Sequence, residues 1–110
     1  MIDWKRVNEL KDEIGLDGFA EVADMFLEEA DAAVLALADA VRAEDVEAQL
    51  HFLKGSALNL GLADLAGICH AGERQAASGH RDAVDPARIA AIYRASRAQL
   101  LAGLKTASAA

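Results

Sequence analysis

His51-Phe52-Leu53-Lys54-Gly55-Ser56-Ala57-Leu58-Asn59-Leu60-Gly61-Leu62 lies near the middle of the 110-residue chain. At about 100° per residue, Val46, Leu50, Leu53, Ala57 and Leu60 fall within about 40° of one line, which is the seam of a helix turned toward a core. His51 lies roughly 140° from that seam, Lys54 about 80°, Leu58 about 120° and Gly55 about 180°. The imidazole is therefore expected in solvent. It shares its patch of helix surface with Lys54 at i+3, Gly55 at i+4 and Leu58 at i+7.

That patch combines a nucleophile, a cation, a bare backbone and an apolar contact. Neutral imidazole attacks phosphorus through a ring nitrogen, and a lysine ammonium offsets phosphoryl charge as a compact point charge. Glycine inside a helix costs about 0.5–1 kcal/mol relative to alanine, so Gly55 suggests that a side chain there would be worse, and access to the ring is the evident benefit. The same spacing also describes a histidine on a solvated face beside a helix-packing glycine, and the pattern alone leaves both readings open.

The residues outside this stretch set the fold class. A fraction of 54% hydrophobic residues, many of them Ala and Leu, suffices for one core, which makes the chain a single domain. Pro86 is the only proline, and no period-2 strand pattern appears, so the fold is expected to be all-α. Trp4, Val7, Leu10 and Ile14 mark a short first helix, with Asp3 as N-cap and Gly15 as its stop. A long helix is expected from about Gly18 to Arg42, capped by Asp17. Its inward residues are Phe19, Val22, Ala23, Phe26, Leu27, Ala30, Val34, Leu37, Ala38 and Val41, and its acidic residues form the solvated face.

The central helix follows Glu44-Asp45 and runs to about Gly61. The next runs from Leu62 and Asp64 to Ser78-Gly79, with Leu65, Ile68, Cys69, Gly72 and Ala76 inward. Asp85-Pro86 starts the last helix, which carries Ile89, Ile92, Tyr93, Ser96 and Leu100 inward and reaches about Lys105, leaving 106–110 as a frayed tail. The expectation is an antiparallel four-helix bundle over residues 1–105, with the short N-terminal helix covering one end.

Charge and composition restrict the partners. A net charge of −7 and a pI near 4.8 argue against nucleic acid and an anionic membrane surface. No apolar run approaches a transmembrane length, and Met1-Ile2-Asp3-Trp4 lacks a signal-peptide layout, which fits a cytoplasmic location. Cys69 is the single cysteine and reads as a small hydrophobe. No Gly-rich nucleotide loop is present, so the chain is not expected to phosphorylate itself from ATP.

His51-x-Leu53-Lys54-Gly55-Ser56, then Asn59-Leu60-Gly61-Leu62, then Leu65, Cys69 and Glu73, together resemble the signature of histidine-containing phosphotransfer (HPt) domains. The resemblance covers the two central helices, and it departs from a common form at Ala57, where a second small polar residue often follows the serine. In that family a histidine receives a phosphoryl group from a receiver-domain aspartyl phosphate or a histidine kinase and passes it to a response regulator in a two-component phosphorelay. The resemblance implies that His51 becomes the phosphohistidine, that Lys54 stabilises the phosphoryl group and that Gly55 leaves room for it. It also implies a phosphoryl carrier with no kinase activity and no cofactor of its own, Mg²⁺ being supplied by the partner receiver.

An antiparallel neighbour would bring His70 and Glu73 alongside position 51. They follow His51 by 19 and 22 residues, a spacing that resembles the phosphotransfer domain of chemotaxis kinases. In such domains a Glu or Gln at the second position commonly bonds Nδ1. This would fix the tautomer and keep the Nε2 lone pair for attack, in the manner of the orienting member of a catalytic triad. An ordinary i,i+3 surface pair is the plainer reading of His70 and Glu73, and His80 is expected in a solvated loop without a role. Leu58, Leu62, Ala66 and Ala48 are the expected partner-docking area. Two alternatives stay open: a non-catalytic structural or adaptor bundle, and a metal-binding bundle, although His70-x-x-Glu73 occurs once and in the reverse of the usual metal-site order.

Overall fold

A computed structural model describes residues 2–109, with side chains described through residue 103. Four α-helices account for nearly all of it: α1 (Trp4–Asp39), α2 (Ala43–Leu60), α3 (Ala63–Ala77) and α4 (Pro86–Ala109), with a 3-10 turn at Arg81–Ala83. Short connections force successive helices to pack side by side in alternating directions, and α4 returns against α1 to close an elongated bundle 47 Å long. One core runs its length, built on Phe19, Leu37, Leu50, Leu53, Leu60, Leu65, Ile89 and Leu100.

The first two expected helices are the two arms of α1. Asp3 caps the first arm by accepting from the Arg6 amide at 3.2 Å. The break falls at Gly15, whose φ of 78° is open to glycine without steric cost. One residue therefore suffices for the step. The second arm starts directly after Gly15 rather than at Gly18, and Asp17 sits inside its first turn instead of capping it, where a carboxylate still faces the positive end of the helix dipole.

At the other end α1 stops at Asp39, short of Arg42. Ala40 is extended, and its carbonyl accepts from the Arg81 guanidinium of the 3-10 turn. Val41 has left the helix and is 80% exposed rather than inward, and Ala38, about 100° around the helix from buried Leu37, also faces outward.

The N-terminal arm does cover one end. The Asp3 amide donates to the Gly61 carbonyl at 2.6 Å, and Ile2 forms an isolated antiparallel bridge with Leu62. Gly61 closes α2 in the left-handed conformation, φ 76°, and a Cβ there would lie 2.7 Å from the Asp3 carbonyl, so both the turn and the arm require glycine. Trp4 packs its ring on α4 at Gly103.

α2 and α3 form the most intimate pair. A Cβ at Gly72 would lie 3.0 Å from Leu50 Cδ1, so the missing side chain lets α3 press against the core seam of α2. Asp85 caps α4 through the amides of Ala87 and Arg88, as the Asp-Pro start predicts. α4 remains helical to Ala109 rather than ending near Lys105, because Thr106-Ala107-Ser108-Ala109 contains no helix breaker; position 110, the end of the expected tail, lies outside the described residues. Across the bundle, Tyr93 of α4 donates its buried hydroxyl to the Leu27 carbonyl and the Asp31 carboxylate of α1.

Candidate functional site

The Leu50–Gly72 contact places the next residue of each helix, His51 and Glu73, side by side at the surface above the seam. His51 Nδ1 lies 2.8 Å from Glu73 Oε1. Lys54, one turn along α2, sets Nζ 2.7 Å from Oε2 of the same carboxylate, an ion pair by distance without the alignment of a hydrogen bond. One carboxylate thus holds both groups.

Exposure distinguishes their roles. The His51 side chain is 71% exposed, whereas Glu73 is 18% and Lys54 22% exposed. The carboxylate and ammonium form a sheltered base beneath a ring that stands in solvent. The Lys54 ammonium chiefly, and His51 after it, hold the Glu73 carboxyl below the usual carboxylate range, while partial burial opposes them. At neutral pH Glu73 is therefore ionised and can only accept, so Nδ1 of His51 carries the hydrogen and donates it. In the neutral ring Nε2 then keeps its lone pair, facing solvent.

Gly55, one turn from His51, is exposed, and a Cβ built there would meet no atom within 4 Å. Packing within the chain does not require that glycine, and the access reading gains support. Leu58 is 58% exposed and Ala48 is exposed beside the ring.

Two of the four expected docking positions are corrected. Leu62 is 2% exposed and Ala66 6% exposed, because the turn after Gly61 folds Leu62 under the N-terminal arm and Ala66 follows it into the core. His70 is exposed on α3 and, among the described residues, makes no hydrogen bond or ion pair with the cluster or elsewhere. His80 precedes the 3-10 turn in solvent.

Cys69, beneath the cluster, is fully buried; burial first and Glu73 second push its thiol up to about 12, against a smaller opposing pull from Lys54. It packs as a neutral apolar side chain. Among the described residues no three His, Cys, Asp or Glu side chains gather as metal ligands, and no helix is long and apolar enough to cross a membrane.

Two features escaped the sequence reading. The resemblance implies a phosphoryl role for Lys54, yet its ammonium lies on Glu73; both residues flank the α2–α3 seam, and that shared placement is the sequence signal for the pair. Phe52, adjacent to His51, is 39% exposed, although an aromatic residue in a helix reads as core.

A sequence model of the Hpt domain matches residues 21–109 of the chain. The chain therefore belongs to the Hpt domain family, whose members carry phosphoryl groups in two-component signalling. Comparison with curated proteins and with solved structures gave no match.

Proposed function

We propose that the chain accepts a phosphoryl group on Nε2 of His51 from a receiver-domain aspartyl phosphate or a histidine kinase and passes it to a response regulator. The observation that carries this reading is the 2.8 Å contact between Nδ1 of the exposed His51 ring and the Glu73 carboxylate. As Nε2 attacks phosphorus, an N–P bond forms, the acyl P–O bond of the aspartyl phosphate breaks, and the electron pair leaves with the aspartate carboxylate. The ring becomes cationic with its Nδ1 proton retained. Glu73 is placed to offset that charge, and the reverse sequence returns the group to a receiver. Lys54, one turn along α2 from His51, keeps Glu73 ionised and offsets the charge of the phosphoryl oxygens, and Gly55 leaves their approach open.

The partner supplies Mg²⁺ and most of the electrostatic stabilisation, so this chain acts as a carrier that presents a positioned nucleophile. His70 stands exposed on α3, outside the His51–Glu73–Lys54 cluster, and carries no step of the transfer. Leu58 and Ala48 form the apolar margin against which a receiver seats. A cytoplasmic location fits such partners.

The test is incubation with phosphorylated receiver domains while label is followed onto the chain. Label that reaches the parent chain and is absent from His51→Gln supports the reading. A chain that binds receivers without taking label is an adaptor, and the proposal then fails.

A further inference from the structure

A groove of about 570 Å³ runs between α3 and α4, lined among others by Gly67, Ile68, Ala71, Gln75, Arg88 and Ile92. Ile68 and Ile92 are half-buried along it, and Gly67 and Ala71 on its α3 wall are exposed. On the α3 wheel that wall lies roughly 140° from Glu73, so the groove and the His51 site open on different faces of the bundle.

The wall has the register of a helix seam, yet it faces outward. Asp64, Gly67, Ala71 and Arg74 fall at i, i+3, i+7 and i+10, within about 40° of one line, and all four are exposed. Alternating steps of three and four are those of residues that meet a second helix along its length. The middle of the seam is bare. Gly67 is interior to α3, where glycine is a poorer helix residue than alanine, and a Cβ there would meet no atom within 4 Å, so packing within the chain does not require it.

The ends of the seam carry opposite charges, and this selects the occupant. Asp64 and Arg74 are centred on position 69, and so are Gly67 and Ala71. An antiparallel copy of α3 laid on the seam therefore sets Asp64 against Arg74 and Gly67 against Ala71, each contact occurring twice, which is the self-complementarity of a two-fold interface. The Arg74 guanidinium has no partner among the described residues; Asp64 has an interaction of its own within the chain, and a carboxylate accepts from more than one donor.

The net charge of −7 is also distributed so that this face can approach its own copy. Residues 1–50 hold 14 of the 18 Asp and Glu, whereas residues 63–110 hold four, against six Lys or Arg. Like-charge repulsion is thus concentrated on the other side of the bundle. The same two-fold turns groove toward groove, so Ile68 and Ile92 of both copies share one apolar interior.

We propose that two copies of the chain pair through α3 and the α3–α4 groove in an antiparallel two-fold dimer, with both His51 rings left exposed away from the interface, so that one assembly presents two phosphoryl sites. One helix and one groove flank per copy make a contact at the small end of protein interfaces, and a dissociation constant in the micromolar to millimolar range is expected. Dimerisation requires no phosphoryl chemistry and is tested without it.

The test is sedimentation equilibrium of the full chain over a range of concentrations, with circular dichroism confirming that each variant folds. The parent should approach the mass of a dimer as concentration rises. Gly67→Gln fills the bare middle of the seam without touching the chain's own packing, and Asp64→Arg sets like charges at both ends; each is expected to weaken dimerisation about tenfold or more, because the two-fold repeats every contact. The double variant Asp64→Arg with Arg74→Asp restores opposite charges across the interface and should recover most of the parental affinity. A parent that stays monomeric at every concentration overturns the proposal. So does a dimer that survives Gly67→Gln and Asp64→Arg, or one lost in Asp64→Arg that the double variant does not recover.

Discussion

Replacing Glu73 by alanine removes the one group that touches both His51 and Lys54. A hydrogen bond to a charged partner contributes about 1.5–3 kcal/mol when sheltered, and the lower end or less applies here because the His51 side chain is 71% exposed. About 1.4 kcal/mol corresponds to roughly tenfold in the transfer step. Glu73→Gln retains an acceptor in its amide oxygen but lacks the charge, and is expected to slow transfer about two- to threefold. Lys54→Ala is expected to cause a loss comparable to that of Glu73→Ala. Because the two side chains meet at 2.7 Å, the double variant should fall well short of the sum of the single effects. Single-turnover label transfer from a phosphorylated receiver gives the rates, and ¹⁵N NMR of the imidazole gives the tautomer directly. In the parent chain Nδ1 should carry the hydrogen predominantly, and this bias should vanish in Glu73→Ala. The reasoning is refuted if the parent shows the tautomer ratio of free histidine and Glu73→Ala transfers at the parental rate.

Three further outcomes follow from individual positions. Gly55→Gln should leave thermal stability unchanged or higher by up to about 1 kcal/mol, since a side chain there meets nothing in the chain and glutamine is the better helix former, while transfer slows; a collapse in stability would show that Gly55 serves packing. Gly103→Ala would put a Cβ 2.1 Å from Trp4 Cη2, so the single tryptophan should leave α4, seen as red-shifted emission and a lower Tm; unchanged emission would mean the ring does not pack there. Glu73 has a lowered folded pKa, so its contribution to stability is fully present above the unfolded carboxylate value of about 4.3 and is lost as pH falls below that value through the depressed folded one. Relative to Glu73→Ala, the parent's advantage in denaturant midpoint should therefore persist at pH 5 and disappear in stronger acid; an advantage lost already between pH 7 and pH 5 contradicts the assignment.

The core was legible in the sequence because a 3.6-residue period survives in Val46, Leu50, Leu53, Ala57 and Leu60, all of which are buried. The His51–Glu73 pairing was accessible by combining that period with an antiparallel neighbour, since two faces and one separation fix which residues meet. Boundaries were less accessible. Whether Gly15 ends a helix or merely bends it depends on what the chain does next, and Ala40 leaves α1 beside an Arg81 contact made from 41 residues away. Two of the four docking positions are illegible for a similar reason: Leu62 and Ala66 have no periodic signal that separates exposed from buried at a tight turn, and the N-terminal arm that covers this end is distant in sequence.

The most direct test of the account is the location and chemistry of the phosphate after transfer from a receiver. Mass spectrometry under non-acidic conditions should place it on His51 alone, and two-dimensional ³¹P–¹H NMR should show coupling characteristic of Nε2 phosphorylation. Phosphate on His70 or His80, or on Nδ1 of His51, would contradict the central claim, because the Glu73 contact leaves Nε2 of His51 as the free nucleophile.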